Sequence, residues 1–364
     1  MHSQSLGVPS NPVVLIYNGL LLVVITGALR LLRQLTRRDR VVAFFLSGTV
    51  VLATGGAGAL LSPIGPFGKV QLLAWATFIH GPVFLLGSGA ILHRWRRGIA
   101  LGCIGFAVGI LGVGVDAFLI EPHWLTVDHV TLSTSELKTS VRVAVVADIQ
   151  TDAPGPYERR VFRRVAAEQP DLILLAGDYV HLADDEQYVA TGETLNQMMR
   201  DTELDAPLGV YAVRGNVDWP DRWQEIFDGL PVTTFEHSRT LDLGPLVLTG
   251  LALHDSANTK LTLPPEDAFH IVLGHVPNFS LGQVEGDVLI AGHTHGGQVQ
   301  LPLVGPLMTL SKVPRSWASG VTEIAPGKTL IVSRGIGMER GNAPRMRFLC
   351  RPQLVILDLV SAEP

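Results

Sequence analysis

The heptapeptide Gly292-His293-Thr294-His295-Gly296-Gly297-Gln298 places two imidazoles two residues apart. It follows residues 287–291, an apolar run that reads as a buried strand. If the chain stays extended there, side chains two residues apart point the same way and both rings can face one site. The flanking glycines allow a sharp turn. Alone, a His-x-His pair is weak support for a metal, because exposed loop histidines are common. Four other apolar runs end in similar groups. Residues 141–147 lead into Asp148-Ile149-Gln150-Thr151-Asp152, and residues 171–176 into Gly177-Asp178. Residues 209–213 lead into Arg214-Gly215-Asn216-Val217-Asp218, and residues 270–273 into Gly274-His275. Polar groups at the strand ends of an α/β sheet share one edge, where sites form. Carboxylate, amide and imidazole together suit divalent ions of intermediate hardness such as Mn²⁺, Fe²⁺ or Zn²⁺.

The elements that must position these groups change character along the chain. From residue 141, buried strands alternate with helices: an amphipathic helix carrying Val161, Phe162 and Val165, then a polar helix over about residues 184–200. A short helix begins after Pro220. Beyond residue 230 short strands dominate, with further strands near residues 298–301, 329–333 and 354–359. The pattern predicts two packed sheets with helices outside.

The order Asp-x-x, Gly-Asp, Gly-Asn-x-Asp, Gly-His, Gly-His-Thr-His resembles the calcineurin-like metallophosphoesterase superfamily. Gly292 to Val299 with Pro302, and later Ser333-Arg334-Gly335, are similar to its membrane-associated bacterial branch, which includes UDP-2,3-diacylglucosamine hydrolase-like enzymes. The resemblance covers about residues 141–360 and implies a four-layer αββα sandwich holding two divalent cations. Asp178 would bridge them. Asp148 and His295 would complete one site, with Gln150 a further ligand, and Asn216, His275 and His293 would complete the other. Asp178, Asn216, Arg214 and Asp218 are the residues given catalytic work. The implied reaction is attack of metal-activated hydroxide on a phosphomonoester, phosphodiester or pyrophosphate.

Two positions depart from the family. Gln150 stands where a histidine is usual, and its neutral amide is a weaker ligand; Asp152 could compensate or be a loop carboxylate. Val217 stands where the family has a histidine assigned as the acid that protonates the leaving oxygen or as a transition-state donor, and valine can do neither. Losing such an acid typically slows a reaction by about 10²–10⁴-fold, least for leaving groups that need no proton. His181 and His254 are candidate substitutes or ordinary loop histidines. Arg214 could donate to a substrate phosphate or form a surface ion pair. Asp218 could orient a donor or cap the next helix.

Composition divides the chain. Residues 1–120 carry nine Lys/Arg against two Asp/Glu; the totals of 28 and 33 leave 19 against 31 for the rest, a net of −12. An acidic domain is a poor nucleic-acid binder, so no nucleic acid is expected as partner. Two cysteines form no disulfide framework. Four apolar stretches, near residues 13–32, 41–61, 70–92 and 99–120, are each long enough to span a bilayer. Arg33, Arg37, Arg38 and Arg40 lie in the first connection, and Arg94, Arg96 and Arg97 in the third. Basic short loops stay in the cytoplasm, which puts the tail and the C-terminal domain outside. Pairs such as Gly55/Ala59, Gly98/Gly102 and Gly105/Gly109 predict close helix packing. His80 and Asn18 are the notable polar groups within spans. The apolar stretch 301–317 either packs over a sheet or dips into a membrane interface.

The sequence thus predicts a four-span membrane domain (1–120), a linker (121–140) that includes a candidate edge strand, and a metallophosphoesterase domain (141–364). Its expected setting is a bacterial inner or plasma membrane, with the lipid bilayer and a phosphate ester, lipid-linked or envelope-derived, as partners. The competing expectation is a degraded domain that binds metal or phosphate as a sensor or scaffold, motivated by Gln150 and Val217.

Overall fold

The computed structural model describes residues 12–36 and 38–362. The N-terminal tail and Arg37, which enter the charge reading, lie outside the described residues. The chain divides into two compact units, the described residues up to Leu119 with Asn342–Arg345, and Ile120–Gly341 with the described residues from Met346 on, so that the last turn of the fourth apolar helix, Ile120–His123, falls in the second.

The first unit is built on α1 (Pro12–Gln34), α2 (Asp39–Leu61), α3 (Pro66–Leu92) and α4 (Arg97–His123), each long and apolar enough to cross a membrane. Only 22–28 % of each span is buried, so most apolar side chains face outward, as lipid contact requires. The helix α3 passes through a π-turn at Ala76–His80. There His80 is buried and its Nε2 lies 2.7 Å from Asn18 Oδ1, while its Nδ1 is buried without a hydrogen-bond partner among the described residues. The small-residue expectation holds only for the first pair. Ala59 is buried, and a Cβ on Gly55 would meet Ala76 at 3.2 Å; Gly98, Gly102, Gly105 and Gly109 have nothing within 4 Å. Those four glycines lie on an open face of α4 rather than at a helix contact.

In chain order the strands of the second unit are β1 (Thr126–Thr134), β2 (Val141–Val146), β3 (Leu172–Leu175), β4 (Val210–Val213), β5 (Val232–Phe235), β6 (Arg239–Asp242), β7 (Val247–Gly250), β8 (Thr262–Leu263), β9 (His270–Leu273), β10 (Gln283–Val284), β11 (Val288–Ala291), β12 (Gln300–Leu301), β13 (Gly305–Pro306), β14 (Gly320–Ala325), β15 (Lys328–Val332) and β16 (Gln353–Ser361). One six-stranded sheet runs β1-β16-β2-β3-β4-β5 and the other β14-β15-β11-β9-β7-β6. The neighbours β2, β3 and β4 are parallel, as are β9 and β11. Their residues are almost entirely buried, which is why they read as unbroken apolar runs. Within the stretch expected as a linker, β1 is the edge strand, paired in parallel with β16.

The helices α5 (Pro156–Ala167) and α6 (Asp185–Asp201) are the crossovers from β2 to β3 and from β3 to β4. Pro156 opens α5, where Glu158 accepts the Gly155 amide at 2.8 Å. Asp184 caps α6 by accepting from the Gln187 amide at 2.9 Å. Phe162, Val165 and Leu195 pack with Trp223 on the outer face of the first sheet. Val143, Leu174, Leu248, Ile271 and Ile290 fill the space between the sheets. On the far side lie short helical turns, α7 (Leu253–Ser256) and the 3-10 turn Pro277–Leu281, whose Phe279 packs with Leu289 and Leu330. This is the four-layer αββα sandwich, with a thin fourth layer. After Pro220 the expected short helix is the 3-10 turn Trp223–Phe227.

Trp223 is fully buried and stacks on Tyr179, the residue after Asp178, at 6.3 Å between ring centroids. Trp223→Ala is expected to destabilise the second unit by about 3–5 kcal/mol. Denaturant unfolding of the detergent-solubilised chain measures this, and a loss under about 1 kcal/mol would contradict the packing.

Candidate metal centre

All the candidate ligands follow the C-terminal ends of β2, β3, β4, β9 and β11, so three neighbours in one sheet face two neighbours in the other. The loops after β2 and β3 stay bonded beyond the strands: the Asp148 amide donates to Gly177 O at 3.0 Å, and the Gln150 amide to Asp178 O at 2.8 Å. The His293 amide donates to the Asp148 carboxylate at 2.9 and 3.1 Å, joining the edges of the two sheets.

Two clusters of donor atoms result, each with its atoms within 4.8 Å of one another: Asp178, His275 and His293, and Asp148, Asp178 and His295. Asp178 is common to both. Two donors about 2.1 Å from one ion, at tetrahedral or octahedral angles, lie roughly 3.0–3.4 Å apart. In the first cluster His275 Nε2 is 3.4 Å from Asp178 Oδ2 and 3.0 Å from Asn216 Oδ1, which lies 2.6 Å from His293 Nδ1. The other ring nitrogens are held by carbonyls, His275 Nδ1 by Ala176 O at 2.7 Å and His293 Nε2 by Leu310 O at 3.2 Å. A proton there leaves the inward nitrogens free to ligate. His295 is buried with both ring nitrogens lacking a partner, and so is Gln150 Oε1. Buried polar atoms are rarely left unpaired, and these three suit a cation. The residues therefore fit divalent metal, with Asp148, Asp178 and His295 on one side, where the unpaired Gln150 Oε1 is a further candidate, and Asp178, Asn216, His275 and His293 on the other.

The two histidines of the opening motif converge by a different route from the extended chain that the spacing suggested. His293 has φ +71° and His295 φ +48°, with Thr294 helical between them. The turn sends each ring to a different cluster. Asp148, Gln150 and Asp178 also have positive φ, at +50°, +40° and +57°. Such backbone is uncommon outside glycine and collects at functional sites. Gly215 is needed because a Cβ there would collide with the Asp178 carboxylate and amide.

The remaining candidates are spread more widely. Asp218 is buried, and its carboxylate accepts from the amides of Asp178 (2.8 Å), Tyr179 (2.7 Å) and Gly215 (2.8 Å). It ties two ligand-bearing turns together, which is a positioning place rather than the catalytic one first given to it, and it caps no helix. The Val217 amide donates to Asp178 Oδ1 at 2.9 Å. Arg214 is half-buried at the end of β4, and its guanidinium has no hydrogen-bond or ion-pair partner among the described residues. Asp152 lies in neither cluster; its carboxylate is 3.3 Å from Arg340 Nε. His254 is exposed beside Asp255. His181 contacts Gln150 Nε2 at 2.9 Å and lies 3.6 Å from Glu339. Sequence reasoning missed Glu339, whose pKa burial raises to about 6. It follows no strand, and only its place in the Gly-rich stretch 335–341 hinted at a loop pressed against the site.

The protein's own charges set the protonation. Burial disfavours the Asp178 carboxylate, but His275, Val217 and His293 outweigh it and bring its pKa to about 2. Burial likewise opposes charge on His275, and Asp178 and Asp148 overcome it to raise its pKa to about 9. Asp148 is raised to about 7, by burial first and then by Asp178, with His275 opposing. Burial, and then the His275 charge, lowers His293 to about 4. Burial, aided by Arg347, holds His295 well below the usual histidine range.

Two of the three imidazoles are therefore neutral at pH 7, and a cation must displace a proton from His275 and, in acid, from Asp148. Raised pKa values mean that protons compete more strongly as pH falls, so metal affinity should rise with pH. Between about pH 7 and 9 the expected gain is about tenfold per unit, steeper below 7. Titration of the metal-stripped full chain with Mn²⁺ across this range measures it; an affinity constant from pH 6 to 9 would contradict the assignment.

Comparison with known sequences follows the same residues. The pattern of the calcineurin-like phosphoesterase family matches residues 141–297. An uncharacterized metallophosphoesterase of Aquifex aeolicus is 28 % identical over 66 % of this chain and 94 % of its own. The phosphodiesterase YaeI of Escherichia coli is 28 % identical over 53 % of this chain and 72 % of its own. The UDP-2,3-diacylglucosamine pyrophosphatase LpxG of Chlamydia muridarum is 24 % identical over 60 % and 83 %. With the sandwich and its edge of carboxylates and imidazoles in view, residues 141–297 carry the pattern of the calcineurin-like phosphoesterases, and the likeness to proteins named metallophosphoesterase, phosphodiesterase and pyrophosphatase supports a phosphoester hydrolase.

Proposed function

We propose that the chain is a membrane-anchored phosphoesterase that uses two divalent cations. It would hydrolyse a phosphodiester or pyrophosphate in preference to a phosphomonoester, on substrates that include lipid-linked ones. The first unit is the anchor and the second the enzyme. The observation that carries the dinuclear reading is that both donor clusters share Asp178. The unpaired nitrogens of His295 support it. The names phosphodiesterase and pyrophosphatase of two relatives support the substrate class.

Bound divalent cations would supply Lewis acidity towards the phosphoryl oxygens and a water acidic enough to attack near neutral pH. The chain does the positioning. Asp178 holds the two clusters at one separation, with Val217 N and the three Asp218 contacts fixing its turn. Asn216 offers a neutral oxygen between His275 and His293. Arg214 supplies an uncommitted guanidinium to the non-bridging phosphate oxygens. Val217 cannot protonate a leaving oxygen, so leaving groups already stable as anions, such as a nucleotide phosphate, are favoured.

Asp178→Asn should abolish cleavage of both phosphodiester and pyrophosphate substrates in the presence of Mn²⁺. Stoichiometric metal in the parent protein without turnover would instead favour the sensor reading. Val217→His should raise the rate on alkoxide-leaving phosphodiesters by roughly tenfold or more and leave pyrophosphate cleavage nearly unchanged. An equal effect on both substrates would sink the missing-acid argument.

The arginine-bearing connections support an extracytoplasmic catalytic unit. A membrane-impermeant maleimide should label Lys260→Cys in intact cells; labelling only after lysis would reverse the topology.

A further inference from the structure

The stretch 301–317, for which packing and membrane contact were both open, divides in two. Its second half packs: Val313 is buried, and Trp317 lies against the outer cluster of the second sheet. Its first half does not. Among the described residues from Glu121 onward, nine large apolar side chains are exposed, and five of them are Leu301, Leu303, Val304, Leu307 and Leu310. So dense a cluster on one short hairpin is not the scattered exposure that any surface shows.

The hairpin is firmly seated at its base. Leu301 pairs with Gly305, and the Gln300 amide donates to Phe348 O at 2.9 Å. Ser311 Oγ and the Lys312 amide both donate to Asn278 Oδ1 at 2.8 Å. Leu310 O holds the ring of His293 at 3.2 Å, so the hairpin is fixed to the metal-ligand cluster itself. At the tip, Leu301-Pro302-Leu303-Val304 forms a turn closed by the Val304 amide on Leu301 O at 3.1 Å. Pro302 fixes a negative φ before Leu303 at φ +67°, which makes the turn type II, with leucine where glycine or asparagine is favoured. Leu303 is 108 % exposed. The tip therefore carries both backbone strain and a fully wetted leucine, two local preferences broken at one residue with no compensating contact among the described residues. Lys312 and Arg315 are exposed just beyond it.

We propose that this hairpin is a membrane-contact element that inserts Leu303 and Val304 into the interface of a lipid bilayer, with Lys312 and Arg315 at anionic headgroups. A bilayer is the occupant because four helices of the chain are each long and apolar enough to cross one, and the contact rests on that proposed anchor. An apolar tip with cations behind it matches the layering of a lipid surface, where apolar chains lie beneath charged headgroups. Through the Leu310–His293 contact, the hairpin would hold the metal cluster at headgroup height, which makes the preferred substrate a phosphate ester or pyrophosphate of a lipid. The substrate clause rests on the phosphoesterase reading; the membrane contact does not.

The test uses the full chain in nanodiscs containing anionic phospholipid. A nitroxide at Leu303→Cys should collide with oxygen more than with a water-soluble nickel complex, and one at the exposed Glu266→Cys the reverse. Equal water access at both sites would overturn the proposal, and so would shielding of position 303 from both reagents, which would place a second copy of the chain there. The double variant Leu303→Asn, Val304→Asn relieves the turn and removes the apolar tip, so the fold should be retained. Its rate on a lipid phosphate ester in the same nanodisc should fall at least tenfold, with the rate on soluble bis(p-nitrophenyl) phosphate unchanged. Equal loss on both, or no loss on either, would overturn the lipid-substrate clause. If neither substrate is cleaved by the parent protein, the phosphoesterase reading fails and the nitroxide result still decides the contact.

Discussion

A charged carboxylate at the meeting point of two sheets constrains the rest of this structure. Asp178 is buried, and an isolated buried charge is costly unless it is paired and hydrogen-bonded. The chain surrounds it accordingly. His275 sits 3.4 Å from one oxygen, and the Val217 amide bonds the other at 2.9 Å. Those contacts fix the separation of β3, β4 and β9, and with it the register of both sheets at the site edge. Asp218 repeats the device one step out, spending a buried carboxylate on three backbone amides. Burial, and then the nearby Asp178 charge, raises the Asp218 pKa to about 7, so these three bonds gain the added strength of a charged acceptor only as the pH rises through neutrality.

The backbone accommodates the same constraint. Five of the candidate ligands sit in left-handed conformations, which places them just past the strands where the chain has begun to turn. Each such residue costs on the order of 1 kcal/mol. The strain is tolerated because the strands beneath are buried and bonded on both sides. A short strand with its turn clamped to the neighbouring turn, as Asp148 is to Gly177, leaves little room to relax. The same holds for the glycines: Gly215 sits against the Asp178 carboxylate, with no room for any larger residue.

Much of this was legible before any coordinates. Parallel strands buried on both faces leave unbroken apolar runs, and each run ends where a ligand begins, so the list of strand ends was nearly the list of ligands. The crossover helices were legible as an amphipathic stretch carrying Val161, Phe162 and Val165 and as a polar stretch over about residues 184–200. What stayed hidden depends on contacts distant in sequence. The role of Asp218 comes from amides 3, 39 and 40 residues away. Glu339 reaches the site from a loop without periodicity. The glycines of α4 have helix-packing spacing yet face open space, because spacing alone does not say which face meets a neighbour. The stretch 301–317 could not be divided from composition, since both halves are apolar and only the contacts separate them.

The two halves of the metal centre are not built alike. His275 and His293 each have the outward nitrogen held by a backbone carbonyl, which fixes the tautomer and aims the inward lone pair. No such contact orients His295, whose nitrogens are both unpaired, and beside it stands a neutral amide, Gln150, already tied through Nε2 to His181. Ligands that are aimed before binding lose less freedom on binding, and an imidazole donates more strongly than an amide oxygen. If each cluster holds a cation, the one shared by Asp178, Asn216, His275 and His293 is the more firmly held. The one beside Gln150 is then the more exchangeable, and its occupancy would govern how readily the centre is completed. That asymmetry follows from the hydrogen bonds of three histidines rather than from their number.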